Sequence, residues 1–227
     1  MNIEETIEKC EISLKQIKQY DPDPFYVNHF FEQYISLKDK IIAGIFEEAN
    51  RDFGLFLTQP MTEERFLQKA KLKNDENAIR FSEWFRTKYA EEHKNPYPNF
   101  MNQICNFRKK FGKLPDVKIM IRASDRYKDD INQEIQVPLS NKKLRSKEEL
   151  DIEIKRQLPV FLEIINHKRH EKNEPKVEKN QIIASTFLNI ENYKDIEIVY
   201  TSEIYIPVIK RLVEEARTKI KDLIKIN

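Results

Sequence analysis

The chain has 227 residues, a net charge of +2 and a mean hydropathy of -0.69. With 40% hydrophobic and 11% aromatic residues it carries too much apolar material for a disordered chain, and its 34% charged residues point to solvated helix surfaces. It contains only three glycines and no GxGxxG or P-loop pattern, which excludes the phosphate-cradling modes of nucleotide binding that need glycine-rich loops.

In chain order, Ile3, Ile7, Cys10, Leu14 and Ile17 fall on one stripe of a helix over residues 2–20. The run DPDP at 21–24 breaks it, because residues before proline are pushed out of helical geometry. A longer helix is expected over 25–56, with Phe30, Tyr34, Leu37, Ile41, Ile45 and Ala49 inward, widened by Phe31, Ile42 and Phe46. Thr62 is placed to cap the next helix, with Glu63 and Glu64 favourable against its dipole. Residues 63–92 read as helix with an interruption at 73–77. A short helix on Phe100, Ile104, Phe107 and Phe111 follows, and Gly112 is suited to end it.

After residue 115 the texture changes. The alternation in VKIMIRA (117–123) predicts a strand, and 125–138 could supply its hairpin partner. Ser146 and Glu149 form a capping box for a helix with Leu150, Ile154, Leu158, Phe161, Leu162 and Ile165 inward, which Pro159 should kink or split. IIASTFLNI and IEIVYT look like two short strands around a turn at ENYKD, and a last helix spans 206–225. The fold class is therefore α+β, predominantly α-helical. It has an N-terminal bundle (1–115), then a mixed part (116–227) with short antiparallel strands and a long C-terminal helix. The two parts are either separate or packed as one domain.

Charge is unevenly spread. Residues 1–59 hold six Lys/Arg against eleven Asp/Glu, so an acidic first part could attract the basic remainder or a partner. Cys10 and Cys105 sit among apolar helix positions and read as small buried hydrophobes of a reducing compartment. The first residues are unlike a signal peptide, and no run of about 18 apolar residues occurs, so the expectation is a cytoplasmic chain with no membrane contact.

Catalytic and metal-binding patterns gain no support. HKRH (167–170) pairs two histidines at helical spacing, but Lys168 and Arg169 make the site electropositive, so no metal is assigned. GxSxG, HExxH and CxxC are absent. SEWFRTKY (82–89) interleaves basic and aromatic residues, and helical spacing assigns Trp84 and Phe85 to core packing. The remaining candidate is the basic run of Arg108, Lys109, Lys110, Lys113, Lys118 and Arg122, broken only by Asp116. Its lysines complement a helix C-terminus. Arg108, four residues after Ile104 and three before Phe111, lies at the edge of the apolar stripe, where a carboxylate partner or an interface is expected.

The layout from FYVNHFFEQYISLKDKIIAGIFEEA through FSEWFRTKY to FMNQICNFRKKFG resembles that of HEPN-like helical proteins over about residues 1–115. In active members an arginine is followed after four to six residues by a histidine, and the two cleave RNA across a dimer interface. Here the arginine would be Arg108, Asn106 precedes it, and no histidine follows through Pro115. The resemblance therefore implies a non-catalytic bundle that dimerises. The sequence reading is a non-enzymatic scaffold or interaction protein without a cofactor, partnered by itself or another protein. The alternative is an RNA-binding protein or weak ribonuclease that uses the basic cluster around Arg108.

Overall fold

The computed structural model describes residues 2–58, 61–123, 133–135, 147–190 and 193–225. The first helix, α1 (Ile3–Tyr20), is capped by Asn2, whose side chain accepts from the Glu5 N–H at 3.3 Å. Asp23 caps α2 (Pro24–Asp52) in the same way, with proline at the first helical position. These two helices form a hairpin and pack against each other. Thr62 caps α3 (Glu63–Leu72) as expected, and Asp75 caps α4 (Glu76–Glu92) after the expected interruption. Then α5 (Pro96–Phe111) ends on Gly112, whose φ of +70 is the left-handed conformation that glycine adopts freely.

Four strands follow: β1 (Val117–Ala123), β2 (Gln133–Ile135), β3 (Ile182–Ile190) and β4 (Tyr193–Glu197). They form an antiparallel sheet in the order β2-β1-β3-β4, with Val117 opposite Leu188 and Ala123 opposite Ile182. Between β2 and β3 runs α6 (Lys147–Glu171), and α7 (Ile198–Lys225) closes the chain. The protein is thus α+β and predominantly helical, with a long C-terminal helix. Among the described residues no helix is long and apolar enough to cross a membrane.

The main core is shared by α1–α5, α7 and the sheet. Phe31, Phe46, Phe66, Phe81, Met101, Ile104, Leu188, Tyr205 and Leu212 all belong to it. A smaller cluster lies under α6, where Leu150, Phe161 and Ile165 cover Ile119 and Ile121. Asp21, in the turn between α1 and α2, pins the helical hairpin to the sheet. Its carboxylate accepts from the Thr186 N–H at 2.8 Å, the Thr186 hydroxyl at 2.6 Å and the Ser185 hydroxyl at 2.8 Å.

Several expected positions shift. The second helix ends at Asp52 rather than 56, and Phe30 and Leu37 are half-buried while Val27, Phe31, Ile35 and Lys38 take the interior. In α5 the inward positions are Met101, Ile104 and Cys105, and Phe111 is 53% exposed. Neither proline inside a helix stops it. α6 continues through Pro159, and α7 starts at Ile198 and continues through Pro207. The stretch IVYT is therefore helix, not strand. Its Ile198, Thr201, Ser202 and Tyr205 extend the same buried stripe as Ile209, Leu212 and Ala216, and this packing offsets the lost backbone bond. Ser146 and most of 125–138 lie outside the described residues.

Candidate functional site

The expected basic run divides into separate places. Arg108 lies on α5 and reaches α2, donating from Nη2 to Ser36 Oγ at 3.2 Å, with Glu32 and Asp39 carboxylate oxygens each at 3.8 Å. Its neighbours Lys109 and Lys110 are exposed at the C-terminal end of the helix, where positive charge complements the unpaired carbonyls. Lys110 stands 5.0 Å from the Phe111 ring centre, and the Phe107 and Phe111 rings are 4.5 Å apart. Lys113 is exposed and 4.0 Å from Asp116. Lys118 is half-buried on β1, opposite Phe187. Arg122 is opposite Ile183 on the same strand, and its side chain lies outside the described part. Trp84 packs against Phe81 and Phe85 in the aromatic core.

Arg108 also leads inward. Its partner Asp39 is 3.3 Å from the ammonium of Lys38, which is only 3% exposed. Lys38 Nζ donates to Cys105 Sγ at 3.2 Å, and the Tyr89 and Tyr205 phenols lie beside it. Four helices meet here: α2 through Lys38, α4 through Tyr89, α5 through Cys105 and α7 through Tyr205. Desolvation is the largest influence on Lys38 and opposes its charge, while the Asp39 carboxylate at 3.3 Å favours the ammonium. Burial pushes the Cys105 thiol and the Tyr89 and Tyr205 phenols upward, so these groups stay neutral at neutral pH. The cluster is one buried cation surrounded by neutral acceptors and one carboxylate.

His93 borders this cluster. Its ring stacks on Tyr89 at 3.9 Å, and its Nδ1 lies 2.6 Å from the Tyr89 carbonyl, which fixes the proton on that nitrogen. Burial lowers its pKa. The other cysteine, Cys10, is buried against the Tyr34 carbonyl, and burial pushes its thiol up to about 12.

Sequence reasoning missed Lys38 because a lysine reads as surface. The signal was present in spacing. Val27, Phe31, Tyr34, Lys38, Ile41, Ile45 and Ala49 recur at steps of three and four, so Lys38 occupies a core position of its helix. No family model, curated protein or solved structure matches the chain.

Proposed function

We propose that this chain is a non-enzymatic, cytoplasmic helical interaction protein that self-associates through its N-terminal bundle, in the manner of an HEPN-like accessory protein without a ribonuclease centre. The observation that carries the reading is the environment of Arg108. Its guanidinium is turned onto Glu32, Ser36 and Asp39 of α2, and no histidine lies within the seven residues after it. An arginine held in this way ties α5 to α2, and the arginine–histidine pair of active HEPN-like proteins lacks its imidazole here. Two buried thiols suit a reducing compartment. The direct test is the oligomeric state of the purified chain: a dimer at micromolar concentration is expected, and a monomer throughout that range overturns self-association.

One observation favours a second reading, RNA binding. Lys109, Lys110 and Lys113 are exposed at and just beyond the end of α5, and Lys110 stands beside the Phe111 ring that packs on Phe107, a basic–aromatic combination of the kind that stacks and neutralises single strands. Binding of single-stranded and duplex RNA is measured at two salt concentrations, for the wild type and for Arg108, Lys109 and Lys110 changed together to alanine. RNA recognition requires binding that weakens with salt, and a shallower salt dependence in the triple variant. On the interaction-protein reading, neither RNA binds at low salt.

A further inference from the structure

The loop after α2 holds a phenylalanine outward in a conformation that phenylalanine disfavours. Phe56 has a φ of +56 and is 80% exposed. A bulky side chain in the left-handed region is an outlier, and such residues persist only where their surroundings over-determine them. The surroundings do so here. Leu55 is fully buried, and its N–H donates to the Asn50 carbonyl at 3.0 Å. The Asn50 side chain then grips Leu57 twice, donating to its carbonyl at 3.3 Å and accepting from its N–H at 3.0 Å. On the other side, Lys73 donates to the Gly54 carbonyl at 2.8 Å and sets its ammonium 4.9 Å from the Phe56 ring centre. The ring is braced by its neighbours and still left in solvent.

Beside this ring lies a groove of about 320 Å³ between the loop and α3. Phe56, Leu57, Met61 and Leu72 supply its apolar lining, and Leu72 is 81% exposed. Single exposed hydrophobes are ordinary, but two large ones that share one groove form a patch. Arg65 and Lys69 line the same groove, and among the described residues no carboxylate does. An apolar cleft with a cationic border is complementary to a segment that offers leucine or phenylalanine anchors among aspartates and glutamates.

We propose that this groove docks an acidic peptide segment of a partner protein, with Phe56 as the fixed aromatic against which the partner's apolar anchors pack. The proposal rests on the interaction-protein reading and names the surface and partner class for it. Docking accounts for a phenylalanine at a position where glycine would be less strained. Removing the side chain should relax the loop and abolish docking together, which a purely structural role for Phe56 would not do.

The test uses the full chain and fluorescein-labelled synthetic peptides about four helical turns long. One set carries Leu or Phe anchors three, four or seven residues apart among Asp and Glu; a matched set has Lys and Arg in their place. Fluorescence anisotropy should detect binding of acidic members only. Phe56→Gly and Leu72→Ala should each weaken it roughly tenfold or more, and Lys69→Glu should weaken it while tolerating basic peptides better. Phe56→Gly should unfold at an unchanged or higher urea concentration. The proposal is overturned if no acidic peptide binds up to about millimolar concentration, the weak end of the affinity scale, if basic peptides bind equally, or if Phe56→Gly destabilises the fold while binding persists. Sedimentation of the same samples separates the two readings. A monomer that binds acidic peptide overturns self-association and leaves the groove standing. A dimer that Phe56→Gly dissociates makes the occupant a second copy and overturns the acidic-peptide assignment.

Discussion

Lys38 is accommodated among isoleucines and aromatic rings because its ammonium has polar partners in Cys105 Sγ and the Asp39 carboxylate. A buried cation without partners would lose several kcal/mol to desolvation. Truncation therefore has two consequences: it opens a cavity, and it strands the thiol and phenol that faced the amine. Lys38→Ala is expected to destabilise by about 3–5 kcal/mol, whereas Lys38→Met, which refills the volume with an apolar chain, should lose less than half of that. Urea unfolding of the two variants checks the order, and equal losses would mean that packing alone matters at this position. The expected stripe of α2 ran through Leu37, but steps of four from Tyr34 and of three to Ile41 also reach residue 38, and residue type argued against it. Periodicity was the better guide, since it reports which face a helix buries, while hydrophilicity reports only an average over proteins. Arg108 was legible for the same reason, as a cation on the margin of an apolar stripe. The particular partners Glu32, Ser36 and Asp39 were not, because they come from a helix some 70 residues earlier and depend on how the two helices cross.

At the level of elements, helix starts were the most readable feature. Thr62 caps the helix that its short polar side chain suggested, the expected interruption at 73–77 separates α3 from α4, and Gly112 ends α5. The start of α7 was less readable, because Pro207 and the β-branched run before it argued against helix while a buried stripe through Tyr205 decided for it. Local preference and tertiary packing disagreed there, and packing prevailed. The turn between α1 and α2 shows a second contribution that no local pattern reveals. Asp21 breaks a helix and also ties two helices to β3 across 165 residues of sequence. Asp21→Ala orphans the Thr186 N–H and hydroxyl and should destabilise by about 2–3 kcal/mol. Asp21→Asn keeps an acceptor and should stay within about 1 kcal/mol of wild type at neutral pH. Burial raises the Asp21 pKa above its ordinary 3.8, and nearby Glu197 adds to the shift. The folded state therefore binds the Asp21 proton more tightly than the unfolded chain. This stabilisation is fully present below pH 3.8 and is lost as pH rises through the folded value. Asp21→Asn should flatten stability against pH in that window; an unchanged slope would show that the carboxyl does not titrate there.

Across the whole molecule, the acidic first part and the basic remainder meet through α7. Arg217 pairs with Glu4 and Glu48, and Lys210 with Glu11, so the last helix is drawn onto the first two by charge as well as by its apolar stripe. Each exposed pair is worth little on its own, about 0–1 kcal/mol, but together they fix the orientation of a helix whose packing is already favourable. The polar groups with the most chemical capacity, Lys38, Cys105, Tyr89 and Tyr205, are directed at one another inside this arrangement. The surface instead offers side chains suited to contact: Phe56 and Leu72 at one place, Phe111 with its lysines at another. On the proposed interaction-protein reading, association state is the most direct measure of the account. Sedimentation velocity of the wild-type chain from about one to one hundred micromolar spans the concentrations at which a specific dimer forms. The account predicts a monomer–dimer equilibrium that shifts to dimer within this range. A single species of monomer mass at every concentration would contradict it.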